Sequence, residues 1–212
     1  MRQTKVYNLL VVDESGSMDI IKKQTISGLN ETLQTIRTAQ DKYPEQSHLV
    51  TLVFFNSSDT RTVLDCAPVS QAQLINSSTY NPNNGTPLYD ALGDALTRLR
   101  YKINEEQEHQ VLVTILTDGE ENASKEFSHR MINKMINELK DAGWTFTFIG
   151  ANIDVQKAAA NISVSNYIAF EQTHEGTQAM FAKEKNVRMK YFDNVSKGMS
   201  KEELAKKYFE EK

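Results

Sequence analysis

Val6-Tyr7-Asn8-Leu9-Leu10-Val11-Val12 runs without a break into Asp13-Glu14-Ser15-Gly16-Ser17. Seven mostly apolar, β-branched residues are too few for an amphipathic helix, so the run reads as a buried strand. The polar segment behind it is then the loop at that strand's carboxyl end. Three more runs have the same character: Leu49–Phe55, Val111–Leu116 and Thr145–Ile149. Thr60–Leu64 and Asn166–Phe170 are weaker candidates. Between them, apolar residues recur three and four apart. Ile26, Leu29, Leu33 and Ile36 form one stripe, and Leu88, Leu92, Ala95 and Leu99 a second. Met131, Met135 and Leu139, flanked by Ile132 and Ile136, form a third, and each stripe marks a helix with one face for a sheet.

Strands alternating with helices predict an α/β fold, a doubly wound, mostly parallel sheet with helices on both faces. Thr60–Leu64 follows its neighbour after only Asn56–Asp59, too short for a parallel crossover, so it is expected as one antiparallel edge strand. The expected organisation is a domain over residues 1–170 and a C-terminal helical extension over 171–212, packed on that domain or projecting from it. Ser200 and Glu203 fit a capping box opening a last helix that carries Leu204 and Tyr208.

The 212 residues are 39% apolar and 25% charged, a globular composition. No window reaches the roughly 18 consecutive apolar residues of a spanning helix, so no membrane is expected as a partner. The net charge of −4 argues against nucleic acid, and Lys183, Lys185, Arg188 and Lys190 alternate with acids and apolar residues like a solvated helix face. One cysteine, Cys66, rules out an internal disulfide framework and a multi-cysteine metal site. A reducing, cytoplasmic compartment is the simplest expectation.

In an open parallel sheet the loops at the carboxyl ends of the strands form the binding crevice. Three polar segments share that address. Asp13-Glu14-Ser15-Gly16-Ser17 follows the first strand, and Asp118-Gly119-Glu120-Glu121-Asn122 follows Leu112–Thr117. Asn83-Asn84-Gly85-Thr86-Pro87 precedes the second helix. Each is ordinary alone; Thr86 would serve as an N-cap before Pro87. Together Asp13, Ser15, Ser17, Thr86 and Asp118 make an all-oxygen set suited to a hard divalent cation. With at most two carboxylates, such an ion keeps an open position for a partner's Asp or Glu. Among the neighbouring acids, Glu14 and Glu120 read as solvated loop carboxylates, and Asp90 and Asp94 as acids favoured near a helix N-terminus. Asp154 reads as the cap of a short helix through Ala160.

Asp13-x-Ser15-x-Ser17, then Thr86, then Asp118 in Thr117-Asp118-Gly119 resembles the metal-ion-dependent adhesion site of von Willebrand factor A domains, with every ligand position present in order. The resemblance covers most of residues 5–170, including Gly85-Thr86-Pro87-Leu88-Tyr89-Asp90-Ala91, and is nearest to stand-alone bacterial members. It implies a Rossmann-like sheet with Mg²⁺ or Mn²⁺, or alternatively Ca²⁺, at its top. The two serines and the threonine would coordinate directly, and the two aspartates directly or through water. It implies nothing firm about residues after 170. The function expected is a metal-dependent protein-interaction module, not an enzyme, that binds a partner protein's acidic side chain. The alternatives are a Mg²⁺-dependent phosphohydrolase, or a structural subunit whose metal only orders loops. His48 and His109 precede strands, which places them at the far edge from Ser15 and Ser17; His129 and His174 lack a partner carboxylate that spacing would supply. No Gly-x-Ser-x-Gly elbow or phosphate-binding loop is present.

Overall fold

A computed structural model of the chain describes residues 3–103, 108–206 and 208–209. Six strands form one sheet: β1 (Thr4–Asp13), β2 (Gln46–Asn56), β3 (Asp59–Pro68), β4 (His109–Thr117), β5 (Thr145–Gly150) and β6 (Asn166–Ala169). Their spatial order is β3-β2-β1-β4-β5-β6. All pairs are parallel except β2 with β3, which is the expected antiparallel edge hairpin. The strands run longer than the apolar cores that predicted them, because backbone pairing continues into polar ends such as Gln46-Ser47-His48.

The helices are α1 (Lys22–Lys42), α2 (Leu88–Lys102), α3 (His129–Asp141), α4 (Val155–Asn161), α5 (His174–Ser196) and α6 (Lys201–Lys206). Alternation along each strand divides the interior between two faces. Leu9, Val11, Val113, Ile115 and Phe148 join α2, α3 and α4 on one side. Leu10, Val12, Leu52, Phe54 and Leu112 join α1, α5 and α6 on the other. The predicted stripes on α1 and α2 are buried apart from a partly exposed Ile26. On α3 the buried face is Ile132, Ile136 and Leu139, with Met135 partly buried against it, while Met131 is 48% exposed.

α5 lies against α1 and the sheet, with Phe181, Val187, Tyr191 and Phe192 in the core. Phe181 packs so closely on α1 that a Cβ at Gly28 would stand 2.1 Å from its ring. The reading of Arg188 as part of a solvated face is overturned here. Its side chain is fully buried and ion-paired at 2.6 Å with Glu184, one turn back on α5. Lys183, Lys185 and Lys190 do face solvent. Single-residue alternation cannot separate Arg188 from them, because only the sheet beneath α5 determines which side is covered. Asn8 and Thr114, from β1 and β4, accept from its Nη1 and Nη2. Ser200 and Glu203 form the expected capping box, and Leu204 and Tyr208 are buried, Tyr208 beyond the end of α6.

Candidate metal centre

The strand order reverses between β1 and β4, the position where open α/β sheets build their crevice. The parallel register pairs Val12 with Leu116, so Asp13 and Thr117 leave the sheet side by side. Thr117 Oγ1 donates to Asp13 Oδ2 at 2.6 Å, and Ser15 N donates to Asp13 Oδ1 at 2.7 Å. Ser15 Oγ stands 3.2 Å from Ser17 Oγ, and Ser17 Oγ donates to Asp118 Oδ1 at 2.7 Å. Thr86 completes the group across Gly119, where a Cβ would sit 3.2 Å from Thr86 Oγ1 and 3.9 Å from Ser17 Oγ. The five residues singled out in the sequence therefore converge. Asp13, Ser15, Thr86 and Asp118 are all at most 3% exposed, and Ser17 is the open side.

Burial pushes the Asp13 carboxyl up to about 6, against the hydrogen bonds from Thr117 and Ser15 that favour its charge. Burial likewise raises Asp118. Among the described residues neither aspartate has a lysine or arginine partner. The O···O separations of 2.7 and 3.2 Å are close to the edge of a Mg²⁺ octahedron, on the order of 3 Å for Mg–O bonds of about 2.1 Å. Charge deficit, oxygen chemistry and spacing all fit a hard divalent ion. Among the described residues no group of three or more His, Cys, Asp or Glu forms a conventional metal cluster. Ser15, Ser17 and Thr86 bring hydroxyls, not carboxylates, to this cluster.

Glu14 and Thr86 differ from their sequence reading. Glu14 is not a solvated loop acid; it is 2% exposed and paired with Arg61 of β3 at 2.7 Å. The edge hairpin brings Arg61 over it, which loop composition cannot reveal. Thr86 is not a helix cap: α2 begins at Leu88 with no side-chain cap at Pro87. Glu121 Oε2 and Ser124 Oγ instead accept from Tyr89 N, and Ser124 Oγ also accepts from Asp90 N. Asn122 clamps Thr86 by its side chain, at 2.9 Å from Thr86 N, and by its backbone, at 3.1 Å from Thr86 O. The Thr86 hydroxyl is thereby left for the crevice. Asp90 accepts from the backbone of Lys125, Glu126 and Phe127, holding the loop after β4 against α2. Asp154 caps α4 as expected, accepting from Lys157 N at 3.0 Å.

Sequence reasoning missed Thr117, Tyr80 and Gln172. Tyr80, fully buried against Phe54, donates to Asp13 O at 2.7 Å and fixes the long connection before Thr86. Thr117 was legible in principle, as the last residue of the strand beside Asp13. Gln172 lies beyond the stretch that carried the resemblance, and nothing local marks it. Its Nε2 donates to Ser17 O at 2.8 Å and to Asp118 Oδ2.

His48 and His109 begin β2 and β4, at the opposite edge from the serines, and His129 and His174 open α3 and α5. A cavity of about 280 Å³ adjoins the centre through Gly119 and Glu120; among the described residues no histidine, cysteine or serine lines it, so no Ser–His or Cys–His pair is assembled there.

The von Willebrand factor type A domain model matches residues 9–188, and the chain belongs to that family. The match runs past Phe170 through most of α5. No curated protein matches the chain. Among solved structures it resembles the pilus adhesin SpaC from Lactobacillus rhamnosus GG, with a TM-score of 0.65 and 15% identity over 91% of this chain and 31% of that one. It also resembles the SpRpn10 VWA domain, with a TM-score of 0.55 and 9% identity over 85% of this chain and 94% of that one. The manganese-loaded Plasmodium vivax TRAP protein gives 0.54 and 20% over 84% and 72% respectively. These likenesses share the fold; the chain spans only 46% of the mussel thread matrix protein and 31% of the adhesin. Von Willebrand factor A domains are in general interaction modules. Among the described residues no helix is long and apolar enough to cross a membrane.

Proposed function

We propose that the chain is a metal-dependent protein-binding module whose centre is Asp13, Ser15, Ser17, Thr86 and Asp118, with Mg²⁺ or Mn²⁺ as the ion. One observation carries the reading: two buried carboxylates with no lysine or arginine partner among the described residues stand with the hydroxyls of Ser15, Ser17 and Thr86, and the Ser15–Ser17 and Ser17–Asp118 oxygens have the spacing of a coordination sphere. The ion supplies a Lewis-acidic position for a carboxylate. Thr117 and Ser15 N hold Asp13 in its orientation, Asn122 holds Thr86, and Ser17 leaves one side accessible. The carboxylates of Asp13 and Asp118 formally balance a divalent ion but leave coordination positions open, and an Asp or Glu side chain of a partner protein suits such a position. Family membership supports this, as does a manganese-loaded protein of the same fold. The lone cysteine is consistent with action in a reducing cytoplasm.

Calorimetry with Mn²⁺ is expected to show one site per chain, lost in Asp13→Asn. Unchanged binding in that variant would sink the assignment. A partner recovered with Mg²⁺ should dissociate in excess EDTA and upon substitution of one of its acidic residues by the amide.

A further inference from the structure

Gln172 lies between β6 and α5, outside the five-residue set, yet its side chain reaches the centre of it. Nε2 donates to Ser17 O at 2.8 Å and to Asp118 Oδ2, while Oε1 accepts from Asn152 Nδ2. A carbonyl and a carboxylate only accept, so the nitrogen must face them and the oxygen must face Asn152. Four connections meet in this one amide: those after β1, β4, β5 and β6. Its backbone is fixed from both sides. Phe170 N bonds to Gly150 O at 3.0 Å, and Thr173 N to Glu171 O at 2.7 Å. Thr173 then caps α5 by accepting from Gly176 N at 3.0 Å. The turn is tight enough that a Cβ at Gly176 would lie 2.4 Å from Glu171 O. Asn152 itself has φ 55°, a left-handed conformation that asparagine tolerates better than most residues.

We propose that Asn152 and Gln172 form a positioning relay for the metal centre, with Gln172 tying the carboxylate of Asp118 to the loop that carries Ser17. The proposal rests on the metal reading above and adds two residues to it. Ser17 Oγ already occupies Asp118 Oδ1 at 2.7 Å. Gln172 occupies the other oxygen, so the carboxylate cannot rotate without losing one bond or the other. Asp118 and Ser17 come from different strands, and the amide bridges them directly. Partners of metal ligands in this position hold ligand geometry and typically change affinity by about 10–100-fold when removed. The relay also makes the segment after β6 part of the centre rather than an appendage.

The test is a Mn²⁺ titration of the full chain, followed by the six-line electron paramagnetic resonance signal of the free ion, with thermal unfolding in EDTA beside it. Gln172→Leu keeps the bulk and removes the amide; it is expected to weaken Mn²⁺ binding by about 10–100-fold. Asn152→Gly keeps the backbone conformation available and should weaken binding less, in the same direction. The double variant should bind no more weakly than Gln172→Leu alone, because Asn152 acts only through Gln172. Unfolding in EDTA should stay near wild type for all three. Wild-type affinity in Gln172→Leu overturns the relay while leaving the five-residue centre intact. Additive losses in the double variant, or a fall in EDTA stability that accounts for the weaker binding, overturn it as well. A wild-type chain that binds no Mn²⁺ overturns the metal reading itself, and the relay with it.

Discussion

Two polar clusters are buried against the sheet, and they handle charge in opposite ways. Under α5, Glu184 and Arg188 pair at 2.6 Å with both side chains at most 2% exposed. Asn8, Thr114 and Tyr208 supply further hydrogen bonds. That cluster carries its own counter-charge and is closed. At the carboxyl edge, Asp13 and Asp118 are as deeply buried, but hydroxyls and amides surround them and no described arginine or lysine faces them. Desolvating a carboxylate is costly without a counter-ion. The imbalance of the second cluster is what the proposed divalent cation would offset.

The largest expected effect is at the closed cluster. Arg188→Met leaves Glu184 buried without its partner and should cost about 3–5 kcal/mol in urea unfolding. Adding Glu184→Leu should recover most of that loss, since an apolar pair can replace a buried ion pair. A single variant as stable as wild type would show that the pair is not the closed unit described.

His48, beside that cluster, offers a pH test. It packs edge-to-face on Phe192 with ring centroids 4.5 Å apart, and among the described residues neither ring nitrogen has a hydrogen-bond partner. Burial, and secondarily the charge of Arg188, hold it down to about 4 from 6.5. Between those values the unfolded chain takes up a proton that the fold refuses. Its contribution is therefore full above about pH 6.5 and lost as pH falls towards 4, up to about 3 kcal/mol. His48→Phe should flatten the stability curve in that window; an unchanged slope would assign the acid sensitivity elsewhere.

The open cluster should behave in the reverse sense. Asp13→Asn removes a desolvated charge, so stability in EDTA should equal or exceed that of wild type. Mg²⁺ at a hundred times its Kd should stabilise the wild type by about 2.7 kcal/mol and the variant not at all. A variant that unfolds in EDTA would make Asp13 a structural residue and remove the contrast.

The smallest effect separates capping from coordination. Ser128 caps α3 by accepting from Met131 N at 3.4 Å, so Ser128→Ala should cost about 1 kcal/mol. Thr86 caps nothing among the described residues, and Thr86→Ala should cost less than Ser128→Ala while weakening Mn²⁺ binding. A cost for Thr86→Ala equal to that of Ser128→Ala would restore it to an ordinary cap.

Local pattern alone determined the six strands, the antiparallel β3 and the addresses of Asp13, Ser15, Ser17, Thr86 and Asp118. Strand identity follows from short apolar runs, and a strand's carboxyl end is fixed by chain direction. Only the tertiary structure decided which charges are covered. Glu14 is buried because β3 folds back and lays Arg61 over it, and Arg188 because α5 turns that face toward Asn8 and Thr114. Thr86 is free of its expected capping role because Glu121 and Ser124, more than thirty residues on, satisfy the start of α2. Gln172 reaches Asp118 from 54 residues away. A periodic pattern reports the side of an element on which a residue lies. What lies opposite is set by partners distant in sequence, and it is those partners that decide whether a buried polar group is paired, freed or left for an ion.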